Sequence, residues 1–154
     1  MSLSSLKAKR KQQSGYTLLE ILVASILLTG GLIGLASLQA SGTRLNNSAY
    51  LRSQANVLAY DIIDRMRANI VDARAGAYDI GLGDAAPPMS AQVEDIDLAQ
   101  WRTNITYFLP QGTGAIERVP GPSPLDPSRI TVTVQWQDGR EAADIVDFVL
   151  VTEI

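Results

Sequence analysis

Gly15-Tyr16-Thr17-Leu18-Leu19-Glu20-Ile21-Leu22-Val23-Ala24-Ser25-Ile26-Leu27-Leu28-Thr29-Gly30-Gly31-Leu32-Ile33-Gly34-Leu35-Ala36-Ser37-Leu38 is the stretch from which the fold is read. Between Tyr16 and Leu38 it carries one charged side chain, Glu20, and the next charge is Arg44. As a helix rising about 1.5 Å per residue, such a run is just long enough to cross the roughly 30 Å hydrocarbon core of a bilayer. The stretch reads as a membrane segment with one acid near its entrance.

Outward toward the N-terminus, residues 1–15 are short, polar and basic, with Lys7, Lys9, Arg10 and Lys11 and no acid. Cations directly before an apolar helix hold that end in the cytoplasm and send the chain beyond the helix across the membrane. A conventional secretory signal peptide has the same outline, and Ala36-Ser37-Leu38-Gln39-Ala40-Ser41 offers it a cleavage site. The length of the apolar run and the acid at its start count against that alternative.

Glu20 needs a reason. A carboxylate at mid-bilayer costs about 3 kcal/mol even on the mildest scale, and such groups persist chiefly where a partner neutralises them. It is either hydrated near the headgroups or paired with a cation at its own depth. A cut after Gly15 would supply that cation, because the new amine of Tyr16 lies four helical rises away, about 6 Å. Gly30 and Gly34 have the small-xxx-small spacing that lets helices approach closely in lipid, although glycine is also simply commoner in membrane helices.

Beyond Arg44 the helical period continues in another character. Leu51, Ala55, Leu58, Ile62 and Met66 recur at three- and four-residue steps, with Ala59 and Ile63 widening the stripe and Asp61 set four residues before Arg65. The pattern predicts one helix from Thr17 to about Ile70. Its first half suits lipid or a filament core, and its second half suits packing under a globular head.

These residues carry a resemblance. Lys-Gln-Gln-Ser-Gly15 followed by Tyr16-Thr17-Leu18-Leu19-Glu20 resembles the class III signal of type IV pilins and pseudopilins. Ser48-Ala49-Tyr50-Leu51-Arg52-Ser53-Gln54-Ala55 and Leu58-Ala59-Tyr60-Asp61-Ile62-Ile63-Asp64-Arg65-Met66-Arg67-Ala68-Asn69 are similar to the PilV family of type IV pilus minor pilins. So are Asp97-Leu98-Ala99-Gln100-Trp101-Arg102 and the strand ending in Trp136. The resemblance implies that prepilin peptidase cuts after Gly15 and methylates Tyr16, and that Glu20 guides subunit docking. It further implies other minor pilins and the major pilin as partners, residence in the bacterial inner membrane before assembly, and a place in the pilus filament or its tip afterwards. Tyr16 stands where the family more often has Phe, and the kinking Pro of many major pilins is missing from the helix.

The remainder predicts a small α+β head. Residues 75–90 read as loop. Asp97 to Leu109 reads as a short helix N-capped by Asp97 and ended by Pro110, with Leu98, Trp101, Ile105 and Phe108 on one face. Ala115 to Val119 is a possible strand. Pro120-Gly121-Pro122-Ser123-Pro124-Leu125-Asp126-Pro127 is an irregular loop, with a docking site for a partner as the alternative. Ile130, Val132, Val134 and Trp136 alternate with polar residues as a half-buried strand, Asp138-Gly139 turns, and Ile145 to Val151 forms the next strand with Val146, Phe148 and Leu150 on one face. Packed on the amphipathic half of the long helix, these strands form an antiparallel sheet. The expected organisation is a leader over 1–15, a transmembrane or filament-core helix over 16–44, and a periplasmic head over 45–154.

Composition removes several function classes. With no His and no Cys, the usual general base, thiolate nucleophile and zinc ligands are missing, so no catalytic residue, metal or cofactor is assigned. Asp79, Asp84, Glu94, Asp95 and Asp97 lack the spacing of a calcium loop. A chain starting at Tyr16 holds nine basic residues, all Arg, against sixteen acidic ones, a net charge of −7. Nucleic acid is therefore not an expected partner. Three functions stay open: a minor pilin that primes or modifies pilus assembly, a type II secretion pseudopilin, and a pilus-tip adhesin or DNA-uptake binding module.

Overall fold

The computed structural model describes residues 17–123, 126–139 and 144–154. The chain divides into two compact units at Thr43 and Arg44. In the first, helix α1 begins at Leu18, and its hydrogen-bonded backbone continues without interruption to Ala68 in the second. No break occurs at Gly30, Gly31 or Gly34, so the helix tolerates three glycines that each cost about 1 kcal/mol relative to alanine.

The second unit is an α+β head in two layers. Strands β1 (Thr113–Val119), β2 (Arg129–Gln137) and β3 (Ile145–Glu153) form an antiparallel sheet in the order β1-β2-β3. The second half of α1 and helix α3 (Val93–Phe108) cover one face of it. Every member of the stripe Leu51, Ala55, Leu58, Ala59, Ile62, Ile63 and Met66 is buried, as are Ile130, Val132, Val134 and Trp136 of β2. The two sequence periods, 3.6 on the helix and 2 on the strand, thus meet in a single core. Val146, Phe148 and Leu150 pack against its rim. The long helix with a small antiparallel sheet on its amphipathic half is the pilin-like α+β arrangement expected from the sequence.

The boundaries depart from expectation in instructive ways. Helix α1 stops at Ala68, and Asn69 separates it from a short helix α2 (Ile70–Ala75). Gly76 closes α2 at φ 88°, the left-handed region that favours glycine. Helix α3 starts four residues before Asp97, so Asp97 is no N-cap. The extended Gln92 holds that position, and its N–H is accepted by the Ser90 hydroxyl at 2.9 Å. At the other end Phe108 is exposed and Leu109 is buried. Pro110 forces the residue before it out of helical geometry. Leu109 accordingly adopts φ −120° and ψ 129°, and it takes the core place that helical periodicity assigns to Phe108.

Two glycine-dependent contacts fix the head. A Cβ on Gly114 would lie 2.5 Å from Cη2 of Trp101 and 2.7 Å from Cδ1 of Ile105, so α3 reaches β1 only because residue 114 has no side chain. Trp101 cannot retreat freely, since it is fully buried and its indole N–H donates to the Leu58 carbonyl of α1 at 2.9 Å. Residues 75–90 form no helix after Ala75 and no continuous strand, although Ile80 pairs with Ile116 across the β1 edge.

Candidate functional site

The candidate segment is the first half of α1. Thr17 precedes the helix and receives the Glu20 N–H on both its carbonyl, at 3.0 Å, and its hydroxyl, at 3.3 Å. The backbone start of the helix is therefore satisfied from the Thr17 side. Glu20 stands in the first turn, where the partial positive charge of the helix N-terminus favours an acid. The Thr17-x-x-Glu20 spacing of a capping box is the sequence signal for this arrangement.

Every residue from Thr17 to Thr43 is exposed, including Leu18, Leu19, Ile26, Leu27, Leu28, Ile33 and Leu38. The segment's most apolar window has a mean hydropathy of 2.3, and by length and composition the helix can cross a membrane. Its hydroxyls suit a dry surrounding. Ser25 donates to the Ile21 carbonyl at 2.8 Å, Thr29 to Ser25 at 2.7 Å and Thr43 to Gln39 at 3.0 Å, so these three donors turn back onto the helix.

At about 100° per residue, Gly34 lies about 40° from Gly30 and about 40° from Glu20 around the helix axis. The acid and the small residues thus occupy neighbouring sectors of one face. A Cβ at Gly30 or Gly34 would meet nothing within 4 Å. No contact with the described residues explains these glycines. Gly15 and Tyr16, the expected processing residues, lie outside the described residues.

The head holds a second polar constellation that the sequence did not announce. Arg65 of α1 donates to Asp61 at 3.1 Å, to Asp97 of α3 at 3.1 Å and to the side-chain amide oxygen of Gln100 at 2.9 Å. Tyr78 donates its phenol proton to the other Asp97 oxygen at 2.7 Å, and Asn69 donates to that phenol at 3.4 Å. Burial raises the Tyr78 pKa well above the ordinary phenol value, and the bond to Asp97 raises it further. Burial opposes the charge on Arg65, but bonds to Asp97 and Asp61 outweigh it and leave its pKa raised. Beside this cluster opens a pocket of about 290 Å³ lined by Arg65, Ala68, Asn69, Val93 and Asp97. With its charges already paired, the cluster works as a brace between α1, α3 and the loop after α2.

Arg102 is a second brace, nearly buried on α3. Its guanidinium donates to the carbonyls of Gly81 at 2.6 Å and Asp84 at 3.2 Å and to the Thr113 hydroxyl, while Thr113 donates to the Leu82 carbonyl. Burial lowers its pKa, with Asp84 partly offsetting the effect. The acids weighed as calcium ligands are dispersed: Asp84 accepts the Gly81 N–H at 2.7 Å, Asp95 accepts the Ser90 hydroxyl at 2.6 Å, and Asp97 serves Arg65 and Tyr78. Among the described residues, no three His, Cys, Asp or Glu side chains are grouped as metal ligands. No protein-family profile, curated protein or solved structure matches the chain.

Proposed function

We propose that the chain is a minor pilin of the PilV type, a structural subunit that primes or modifies assembly of a type IV pilus. In this reading prepilin peptidase cuts after Gly15 and methylates Tyr16. The mature chain waits in the bacterial inner membrane with its N-terminus cytoplasmic and its head periplasmic, then enters the filament or its tip beside other minor pilins and the major pilin. One observation carries the reading: a single helix has an exposed apolar half with one acid in its first turn, and an amphipathic half that lies under an antiparallel sheet. An apolar half-helix that no described residue covers requires lipid or other helices around it, and a subunit that moves from membrane to filament meets both in turn.

The acid is the part that a plain anchor does not explain. In lipid it stays near the headgroups. In a filament it answers the amine of a neighbouring subunit, staggered by a few helical rises. Mass spectrometry of the protein from its own cells tests the reading, with a chain starting at N-methylated Tyr16 as the expected species. An intact Met1 terminus, or a cut near Ala40, refutes it. Deletion of the gene separates the related functions: loss of surface pili is expected here, whereas loss of secreted enzymes identifies a pseudopilin. Normal piliation with lost adhesion or DNA uptake identifies a tip-binding module.

A further inference from the structure

The sheet has two edges, and they are treated differently. At the β1 edge, Ile116 exchanges both backbone hydrogen bonds with Ile80, at 2.8 and 3.0 Å, so the loop after α2 occupies the middle of that edge. At the β3 edge no described residue pairs. The register tells which groups β3 offers there. Ser128 and Ile154, one step beyond the β2–β3 ladder, exchange both backbone bonds at 2.9 and 3.0 Å. Bonded and non-bonded partners alternate along an antiparallel pair, so the even-numbered residues of β3 bond to β2. The N–H and C=O groups of Ile145, Asp147, Val149, Val151 and Glu153 therefore point to the open edge.

Side chains repeat this asymmetry. The same five odd-numbered residues are exposed. On the opposite face Val146, Phe148 and Leu150 are only partly buried, although their β2 partners Trp136, Val134 and Val132 are fully buried, so the core thins toward β3. Nine residues of strand span about 30 Å. No Pro, Gly or Lys interrupts them, and these are among the devices by which sheets close an edge. The strand's two charges are Asp147 and Glu153, both acidic, on one face and six residues apart.

We propose that the β3 edge accepts one extended strand from another polypeptide, basic on the face that meets Asp147 and Glu153 and apolar on the face beside Phe148 and Leu150. The incoming backbone bonds the odd-numbered residues, its apolar side chains complete the cover over the core rim, and its Lys or Arg side chains answer the two acids. The β3 strand of a second copy fits less well, because its only charges are the same two acids.

The test titrates the full-length chain in detergent micelles with a nine-residue peptide. One face of the peptide alternates isoleucine, and the other carries threonine and two arginines six residues apart. Amide hydrogen exchange is read residue by residue. Without peptide, the N–H groups of Asp147, Val149 and Val151 are expected to exchange at least tenfold faster than those of Val146, Phe148 and Leu150. The peptide is expected to slow the odd set at least tenfold and leave the even set unchanged. Replacing its arginines by glutamates is expected to weaken binding at least tenfold, and the double variant Asp147→Lys with Glu153→Lys to invert that preference. Equal slowing by both peptides, or slowing that ignores residue parity, overturns the proposal. Concentration-dependent slowing of the odd set without peptide also overturns it and assigns the edge to a second copy.

Discussion

Glu20→Gln removes one charge from the candidate segment and little else, and its effect separates two roles for that residue. The helix start does not rest on the Glu20 carboxylate, because the Glu20 N–H is already accepted by the Thr17 carbonyl and hydroxyl. The carboxylate gives the isolated helix its interaction with the N-terminal partial charge, about 0.3–1 kcal/mol, and it gives this equally to a free and an assembled subunit. In the proposed filament, pairing with a neighbour's amine in a dry core would be a larger effect, present only after assembly. Losing it leaves a cation uncompensated, at a cost of about 3 kcal/mol on the mildest membrane scale, or about a hundredfold in an equilibrium. The assay is the ratio of chain in sheared filaments to chain in membranes, for the parent, Glu20→Gln, Thr17→Val and the pair together. Glu20→Gln should lower the ratio by about two orders of magnitude while leaving the mature mass and the membrane level unchanged. Thr17→Val weakens the helix start by about 1 kcal/mol and should shift the ratio less than about fivefold. If Glu20→Gln shifts the ratio no more than Thr17→Val does, the intersubunit pairing is wrong, and Glu20 is simply a helix-start acid.

Three further outcomes concern the head. Gly114→Ala drives a methyl group into Trp101 and Ile105 and should destabilise by about 1–3 kcal/mol, read as the urea midpoint of the detergent-solubilised chain. Combining it with Trp101→Phe should cost less than the sum of the two changes, because the smaller ring relieves the clash. Tyr78 keeps its proton more tightly in the fold than in the unfolded chain. Its contribution is therefore intact below the ordinary phenol value near 10, and stability falls as pH rises beyond it by up to about 1.4 kcal/mol per pH unit. Tyr78→Phe should flatten denaturation midpoints between about pH 10 and 12, and an unchanged slope would contradict the raised value. Asp97→Ala leaves the Tyr78 hydroxyl without its acceptor and Arg65 with Asp61 as its remaining acid. It should cost about 2 kcal/mol by thermal or urea melting, more than the exposed pair partner Asp64→Ala, for which less than about 0.5 kcal/mol is expected.

The features legible in the sequence were those written as a period. The stripe Leu51 to Met66 and the alternation Ile130 to Trp136 name their own buried faces, because a helix or strand that buries one side must repeat apolar residues at its own geometry. The buried place of Leu109 is not written in the helical period, because Pro110 ends that geometry one residue early. Asp97 satisfied the local rule for an N-cap, yet its partners Arg65 and Tyr78 lie 32 and 19 residues away. A local pattern cannot announce a partner at that distance. The partners of Arg102, Trp101 and Ser48 are equally hidden from the sequence, since each is found through the tertiary fold. In the candidate segment, by contrast, composition and the position of Glu20 were plain, and Thr17 was the unread part of a four-residue signal.

The two halves of α1 dispose of their polar groups in opposite ways, and this ties fold to function more closely than hydropathy does. In the apolar half, Ser25, Thr29 and Thr43 return their protons to carbonyls one turn earlier, and from Thr17 to Leu38 Glu20 is the one charged side chain. In the head half the polar side chains reach across the fold: Ser48 donates to Asp138, Arg65 joins Asp97 and Gln100, and Arg67 reaches Thr152. A helix built only to anchor a head needs no acid in its apolar half. A helix that exchanges one apolar surrounding for another needs a single group that distinguishes them. Glu20 suits that task, because its charge is tolerable at a headgroup and favourable beside a partner's amine.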